Sequence, residues 1–161
     1  AKLPQRVLSM IFKNCSGVMP ALPATAAPED SALLDAADAM LGKARAHMDV
    51  QSFHEALRCI WEVVSDANKY VDTTAPWGLK KTDPARMGEV LAVLAETIRQ
   101  AAILVQPVMP GSASKILDQL GVADGQRGFD MLAGAGRIAA GVEISKPEPV
   151  FPRFVEEKGE V

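Results

Sequence analysis

A tryptophan stands between a proline and a glycine at Pro76-Trp77-Gly78. The proline fixes its own φ and the glycine permits a turn, so Trp77 reads as a loop residue rather than part of a helix face. An indole held this way has two uses. It can fold down and lock the core, or it can stand free as a flat platform for an unpaired nucleobase, a contact of roughly 1–3 kcal/mol. Basic residues flank it in the sequence: Lys69, Lys80, Lys81 and Arg86. Lys2, Arg6 and Lys13 recur at helical spacing and share one side of a first helix. Such residues usually form no more than a solvated face. Beside an exposed indole, they outline a basic rim suited to single-stranded nucleic acid.

Other chemistry is sparse. Cys15 and Cys59 are far apart and form no C-x-x-C pair, and with only His47 and His54 they offer no zinc framework. Both histidines fall near one helix junction and read as surface or helix-end residues. Cys15 has no neighbouring histidine or aspartate in sequence and reads as a small apolar plug. Gly134-Ala135-Gly136 follows no strong strand pattern, so it reads as a turn and not a nucleotide loop. Neither G-x-S-x-G nor H-E-x-x-H occurs. The pattern argues against a self-contained enzyme.

The 161 residues suffice for one ordinary domain, and 48% apolar content can fill a core. Seventeen Lys and Arg against 20 Asp and Glu give a net charge of −3, which excludes a histone-like basic protein. No apolar run approaches the ~20 residues of a membrane span. Val7 to Phe12 is too short for a secretory signal and no small-residue cleavage site follows it. Two lone thiols suit a reducing cytoplasm, and cytoplasmic localisation is the expectation. The chain opens on Ala1 rather than Met, which fits a piece of a longer polypeptide.

The elements that position these residues read as helices. Leu3, Val7, Leu8, Ile11 and Phe12 mark an amphipathic first helix, with Gly17 as its stop. A crossing loop follows to Pro28. Asp30 or Ser31 can cap a second, Ala-rich helix that turns Leu33 or Leu34, Ala37, Met40 or Leu41, Ala44 and Met48 inward. Ser52 with Glu55 forms a capping box for a third, whose inward face is Phe53, Leu57, Ile60, Val64, Ala67 and Val71. Asp83-Pro84 opens a fourth helix that runs to about Val105 and buries Met87, Val90, Leu91, Leu94, Ile98, Ala101, Ala102 and Val105. Ser112 or Ser114 starts a short fifth, ended by Gly121. Beyond it, frequent Gly and Pro favour extended backbone that packs back on the bundle or on a further domain. The expected fold is all-α: an antiparallel bundle of about five helices over residues 1–121, with an extended, irregular C-terminal arm over 122–161. Strand content should be near zero.

The run Asp66-Ala67-Asn68-Lys69-Tyr70-Val71-Asp72-Thr73-Thr74-Ala75-Pro76-Trp77 resembles the anticodon-binding domain of methionyl-tRNA synthetases. In that family a helix ending Asn-x-Tyr leads into Ala-Pro-Trp and a lysine-bearing turn. Asn68, Tyr70, Ala75, Pro76, Trp77 and Lys80 hold those places here. Leu3 with Gln5-Arg6 and Lys13-Asn14 resembles the opening helix, and Pro107-Val108-Met109-Pro110 the Pro-x-x-Pro helix end. Lys146-Pro147-Glu148-Pro149-Val150-Phe151-Pro152-Arg153 resembles the arm that returns towards the family's catalytic domain. Four motifs in family order span nearly the whole chain, and together they are specific.

The resemblance implies recognition of the methionine anticodon, CAU. By it, Trp77 stacks on the first anticodon base, Arg6 contacts anticodon bases or backbone, and Pro76 shapes the loop. Asn68 is expected to support that loop by hydrogen bonding and Tyr70 to pack under it. Lys80 and Lys81 add basic contacts. Lys2 stands where the family has an asparagine, four residues before Arg6, and offers only a nonspecific phosphate contact. The implied partners are the anticodon loop of methionine tRNA and the catalytic domain of the same enzyme, not DNA or a membrane. That domain activates methionine with ATP before transfer to tRNA, and zinc is a candidate component of it. This chain is expected to hold no cofactor of its own. Its 161 residues contain neither family signature, His-Ile-Gly-His nor Lys-Met-Ser-Lys-Ser. Two alternatives remain at this level: a helical protein-interaction module without tRNA binding, and the anticodon domain of another class I synthetase for an aliphatic amino acid.

Overall fold

The structure is a computed structural model describing residues 2–151. Pro152 and Arg153 of the arm motif, and the expected arm from there to residue 161, lie outside the described residues. Six α-helices form: α1 (Leu3–Asn14), α2 (Pro28–Asp49), α3 (Phe53–Thr74), α4 (Pro76–Thr82), α5 (Pro84–Val105) and α6 (Pro110–Gln119). Each of the six has a proline in its first turn except α3. Proline is pre-set for that position and lacks a donor the turn cannot use. Among the described residues the only β pairing is a single bridge between Val18 and Glu143.

The centre of the molecule is α5. Every residue from Val90 to Val105 is buried, on all sides of the helix. The eight residues expected to point inward do so, but the one-sided reading was too narrow. Helices α1, α2, α3, α4 and α6 all pack on α5, which leaves it no solvent face. Helices α2 and α3 form an antiparallel hairpin beside it, turned through Gln51 at φ 58°.

Several local expectations change. Helix α3 packs on α2 and α5 at once, so its buried stripe rotates to lie between them. Ile60, Ala67 and Val71 are buried as expected, joined by Ala56, Cys59, Val63 and Tyr70, while Phe53 is 59% exposed and Leu57 and Val64 are half-buried. Helix α2 buries Leu33, Ala37 and Met40, and its last turn leaves Met48 exposed. Phe12 also lies at the surface, against the backbone of Gly17, which takes φ +70°. The capping box does not form: the Ser52 side chain makes no cap, the Ser52 amide donates to the His47 carbonyl at 2.8 Å, and Glu55 pairs with Arg58 at 2.8 Å. Helix α6 starts at Pro110, ahead of Ser112 and Ser114, and ends before Gly121 at φ +73°.

The Asp30 side chain is not a helix cap either. It is fully buried in the first turn of α2 and joins three helices. Arg86 of α5 donates to both its oxygens, Nη1 to Oδ2 at 2.6 Å and Nη2 to Oδ1 at 2.8 Å. Tyr70 of α3 donates its hydroxyl to Oδ1 at 2.5 Å. Burial alone pushes the Asp30 carboxyl up, but the bonds from Arg86 and Tyr70 outweigh it and hold the group below the ordinary carboxylate value. Burial and the bond to Asp30 push the Tyr70 phenol far up, and the Asp30 bond also raises Arg86.

A second polar cluster fixes the arm. Glu96 and Arg99 are buried one turn apart on α5 and pair twice, at 2.7 and 2.8 Å. Arg99 also donates to the carbonyls of Met131 and Leu132, and Glu96 accepts the Ile138 amide at 3.0 Å. Gln100 bridges Glu96 to Asp38 of α2, which binds Arg137 at 2.6 Å. Residues 122–150 therefore lie on the bundle itself, compacted by three 3₁₀ turns, rather than running extended. The Gly134-Ala135-Gly136 stretch is one of these turns. Gly136 is buried there because a Cβ would fall 1.9 Å from the Met131 carbonyl. Near the arm's end, Gln119 both donates to the Glu148 carbonyl and accepts its amide.

Two outcomes follow. Asp30 has a depressed pKa in the folded chain, so its stabilisation is full above its ordinary value of 3.8 and is lost as pH falls through the folded value. In Arg86→Met the carboxylate loses its counter-charge and stability at pH 7 should drop by about 3 kcal/mol. Burial then raises the Asp30 pKa, so acidification from pH 7 towards 5 should recover part of the loss, whereas the parent's Asp30 contribution stays constant over that range; urea titrations across pH read this. Glu96→Gln, which strips the counter-charge from buried Arg99, should cost about 3 kcal/mol and speed hydrogen exchange at the Ile138 amide.

Candidate nucleic-acid interface

The candidate site is built where α3 ends. The residue before a proline is disfavoured in the right-handed helical region. Pro76 therefore stops α3 at Thr74, and Ala75 takes the left-handed conformation at φ 43°, ψ 61°. Such a conformation costs a non-glycine residue roughly 1–2 kcal/mol, so the surroundings must enforce it. The Ala75 amide bonds the Val71 carbonyl at 3.0 Å, and Thr74 Oγ1 donates to the Tyr70 carbonyl at 2.7 Å. Helix α4 then begins at once, with Pro76 buried in its first position.

Trp77 is thus the second residue of a short helix and not a loop residue. It is 52% exposed, so it does not fold into the core. Helix α4 is held at both ends. Tyr70, one turn before its start, is tied to Asp30. At its other end the Asp83 side chain accepts the Arg86 amide at 3.1 Å and caps α5, and Arg86 is tied to Asp30 too. One buried carboxylate thereby anchors both flanks of the helix that carries the indole.

Across from Trp77 runs one stripe of α1. Lys2, Gln5, Arg6, Ser9 and Met10 follow steps of three and four residues and, with Trp77, line a cavity of about 370 Å³. The Arg6 Cζ lies 5.9 Å from the indole centroid, within the range of a cation–π contact. Its Nη2 is 4.0 Å from Asp72 on the last turns of α3, a loose and exposed pair. The site is open, cationic on one wall and flat on the other. It can take a planar, hydrogen-bonding group with an attached phosphate.

The structure brings Trp77, Arg6 and Lys2 together around this cavity, over buried Pro76. Lys80 and Lys81 are exposed on the last turn of α4 and do not line it. Tyr70 is buried beneath the α3–α4 junction. Asn68 points elsewhere: it is exposed and donates to the Val64 carbonyl at 3.0 Å on its own helix, so it does not support the junction. Arg86 leaves the basic rim altogether, because Asp30 holds it as a structural cation. Lys13 and Lys69 are exposed and lie away from the cavity lining.

Gln5 enters the sequence reading only as part of the opening-helix motif, and Ser9 and Met10 do not enter it as site residues. All three share the face that Lys2 and Arg6 define, which is the signal that places them in the cavity. Elsewhere, burial raises the Cys15 thiol above its ordinary value, which disfavours a nucleophile. The Cys59 thiol, also raised by burial, donates to the Ala56 carbonyl. Among the described residues no three His, Cys, Asp or Glu gather at metal-binding distance, and no helix is long and apolar enough to cross a membrane.

Known proteins share this fold. The family model described as the anticodon binding domain of methionyl tRNA ligase matches residues 20–160. The methionine–tRNA ligase of Rhizobium meliloti is 50% identical over 153 residues, and that of Brucella suis 51% over 155. These alignments cover 95% and 96% of this chain but 30% of each relative, so the chain spans under a third of their length. The apo crystal structure of Mycobacterium tuberculosis methionyl-tRNA synthetase superposes with a TM-score of 0.91 at 44% identity, over 97% of this chain and 32% of that one. The same enzyme bound by methionyl-adenylate gives 0.89 over 94% of this chain. The match favours this family over a sister aliphatic synthetase or a plain protein-interaction module. With the family model matched over residues 20–160 and the fold shared at a TM-score of 0.91, the chain belongs to the anticodon-binding domain family of methionyl-tRNA ligases.

Proposed function

We propose that this chain reads the CAU anticodon of methionine tRNA for a methionine–tRNA ligase. The carrying observation is the half-exposed Trp77 facing Arg6 and Lys2 across one cavity. Anticodon bases are unstacked and splayed, so they offer a π-face to an indole and a polar edge to a guanidinium. Arg6 lies over the indole and is loosely held by Asp72, so an entering base can take the ring face while the guanidinium swings to the base edge or a phosphate. Lys2, exposed at the mouth, and Lys80 and Lys81 on α4 supply phosphate contacts. The rim works locally although the chain carries a net charge of −3.

In this reading the domain serves a cytoplasmic enzyme whose catalytic domain, a second partner of this chain, activates methionine with ATP and is the place for any zinc. The residues described here recognise tRNA and do no bond chemistry themselves.

Trp77→Ala should weaken binding of a CAU anticodon stem–loop by roughly 5- to 150-fold while leaving the far-ultraviolet circular dichroism unchanged. Unaltered affinity removes the stacking role. Log affinity of the parent should fall linearly with log salt, and Lys2→Ala should lower the slope by up to one unit without changing base preference.

A further inference from the structure

Lys2 and Arg6 are donors only, yet on the proposed CAU reading the cavity they share takes the first anticodon base, a cytosine. The Watson–Crick edge of cytosine carries two acceptors, O2 and N3, and one donor, the exocyclic N4 amine. A guanidinium can donate to O2 and N3 together, and it rejects uracil because uracil N3 bears a hydrogen. Nothing on Arg6 or Lys2 can accept from the amine. An amine buried against donors alone would lose its hydrogen bond to water without replacement, which costs about as much as the recognition gains.

Six side chains line the cavity, and two of them, Gln5 and Ser9, are neutral and can accept. Gln5 precedes Arg6, one turn along from Lys2, and its side chain makes no hydrogen bond among the described residues. Its amide reaches as far from the helix as the arginine stem does. The Ser9 hydroxyl sits one bond from its Cβ, on a half-buried residue one turn deeper. Asp72, the nearby carboxylate, approaches Arg6 at 4.0 Å, stays 71% exposed and is not part of the lining.

We propose that Gln5 is a specificity-determining residue of this site, its Oε1 accepting from the exocyclic amine of the first anticodon base. The assignment rests on the anticodon-reading function and adds to it the acceptor that the basic residues cannot provide. It also gives this chain a neutral amide on the stripe where Lys2 replaces one.

The test is a cycle between the protein and the base amine. CAU stem–loops are compared with stem–loops whose first base is pyrimidin-2-one, which is cytosine without the amine, for the 161-residue parent and for Gln5→Leu, Ser9→Ala and Asp72→Asn. Removing the amine should weaken parent binding roughly five- to tenfold. Gln5→Leu should weaken CAU binding by a similar factor and bind both stem–loops alike, while Ser9→Ala and Asp72→Asn keep the parent's preference. A Gln5→Leu protein that still prefers the amine overturns the assignment, as does loss of preference in Ser9→Ala or Asp72→Asn. Failure of the underlying reading looks different: the parent then binds CAU stem–loops no better than loops of unrelated sequence, and Trp77→Ala changes nothing. Circular dichroism of Gln5→Leu confirms that the exposed substitution leaves the helices intact.

Discussion

The geometry of the candidate site hangs on one buried carboxylate. Asp30 has no exposed surface, and it is satisfied only when Tyr70 of α3 and Arg86 of α5 both reach it. Those two residues bracket α4. An unpaired buried charge costs several kcal/mol, so the three helices must keep their relative placement or lose that sum. The strained backbone of Ala75 and the half-exposed setting of Trp77 persist because both ends of their seven-residue helix are tied to the same point. The candidate surface is open, and its rigidity is borrowed from the buried cluster around Asp30.

A division of labour between charged residues follows. Arg86 and Arg99 are consumed by structure: one fixes α4 and the other draws Met131 and Leu132 onto α5. Among the described residues Arg6 has a single loose partner and an indole face, so it remains available to a ligand. The same side chain thus has opposite roles according to whether its carboxylate partner is buried or exposed. An exposed pair such as Arg6 with Asp72 contributes little stability and exchanges readily for a phosphate or a base edge. A buried pair does not exchange.

The legible parts of the sequence were those where local chemistry decides. Asp83-Pro84 predicts the start of α5 to the residue, and Pro76 predicts the break at Ala75, because caps and proline act on their immediate neighbours. The Pro-Trp signature also located the candidate site. What was not legible depends on long-range partners. Asp30 reads as a helix cap until Arg86, 56 residues on, arrives beside it, and Arg86 reads as part of a basic rim for the same reason. The face of α3 rotated because two neighbours share it, and the complete burial of α5 reflects five helices around it. The arm looks extended from its prolines and glycines, yet Glu96, Arg99 and Gln119 fold it onto the bundle through backbone bonds that no residue type announces.

On the proposed function Trp77 is a stacking platform held ready by the Asp30 cluster. The chain has two tryptophans, so Trp61→Phe leaves Trp77 as the sole indole reporter. Its fluorescence can be followed while a CAU anticodon stem–loop is added, and again with a stem–loop that is abasic at the first anticodon position. The account predicts saturable quenching by the first and little by the second, since only the first places a base on the indole. Equal quenching by both, or none by either while binding proceeds, would contradict it.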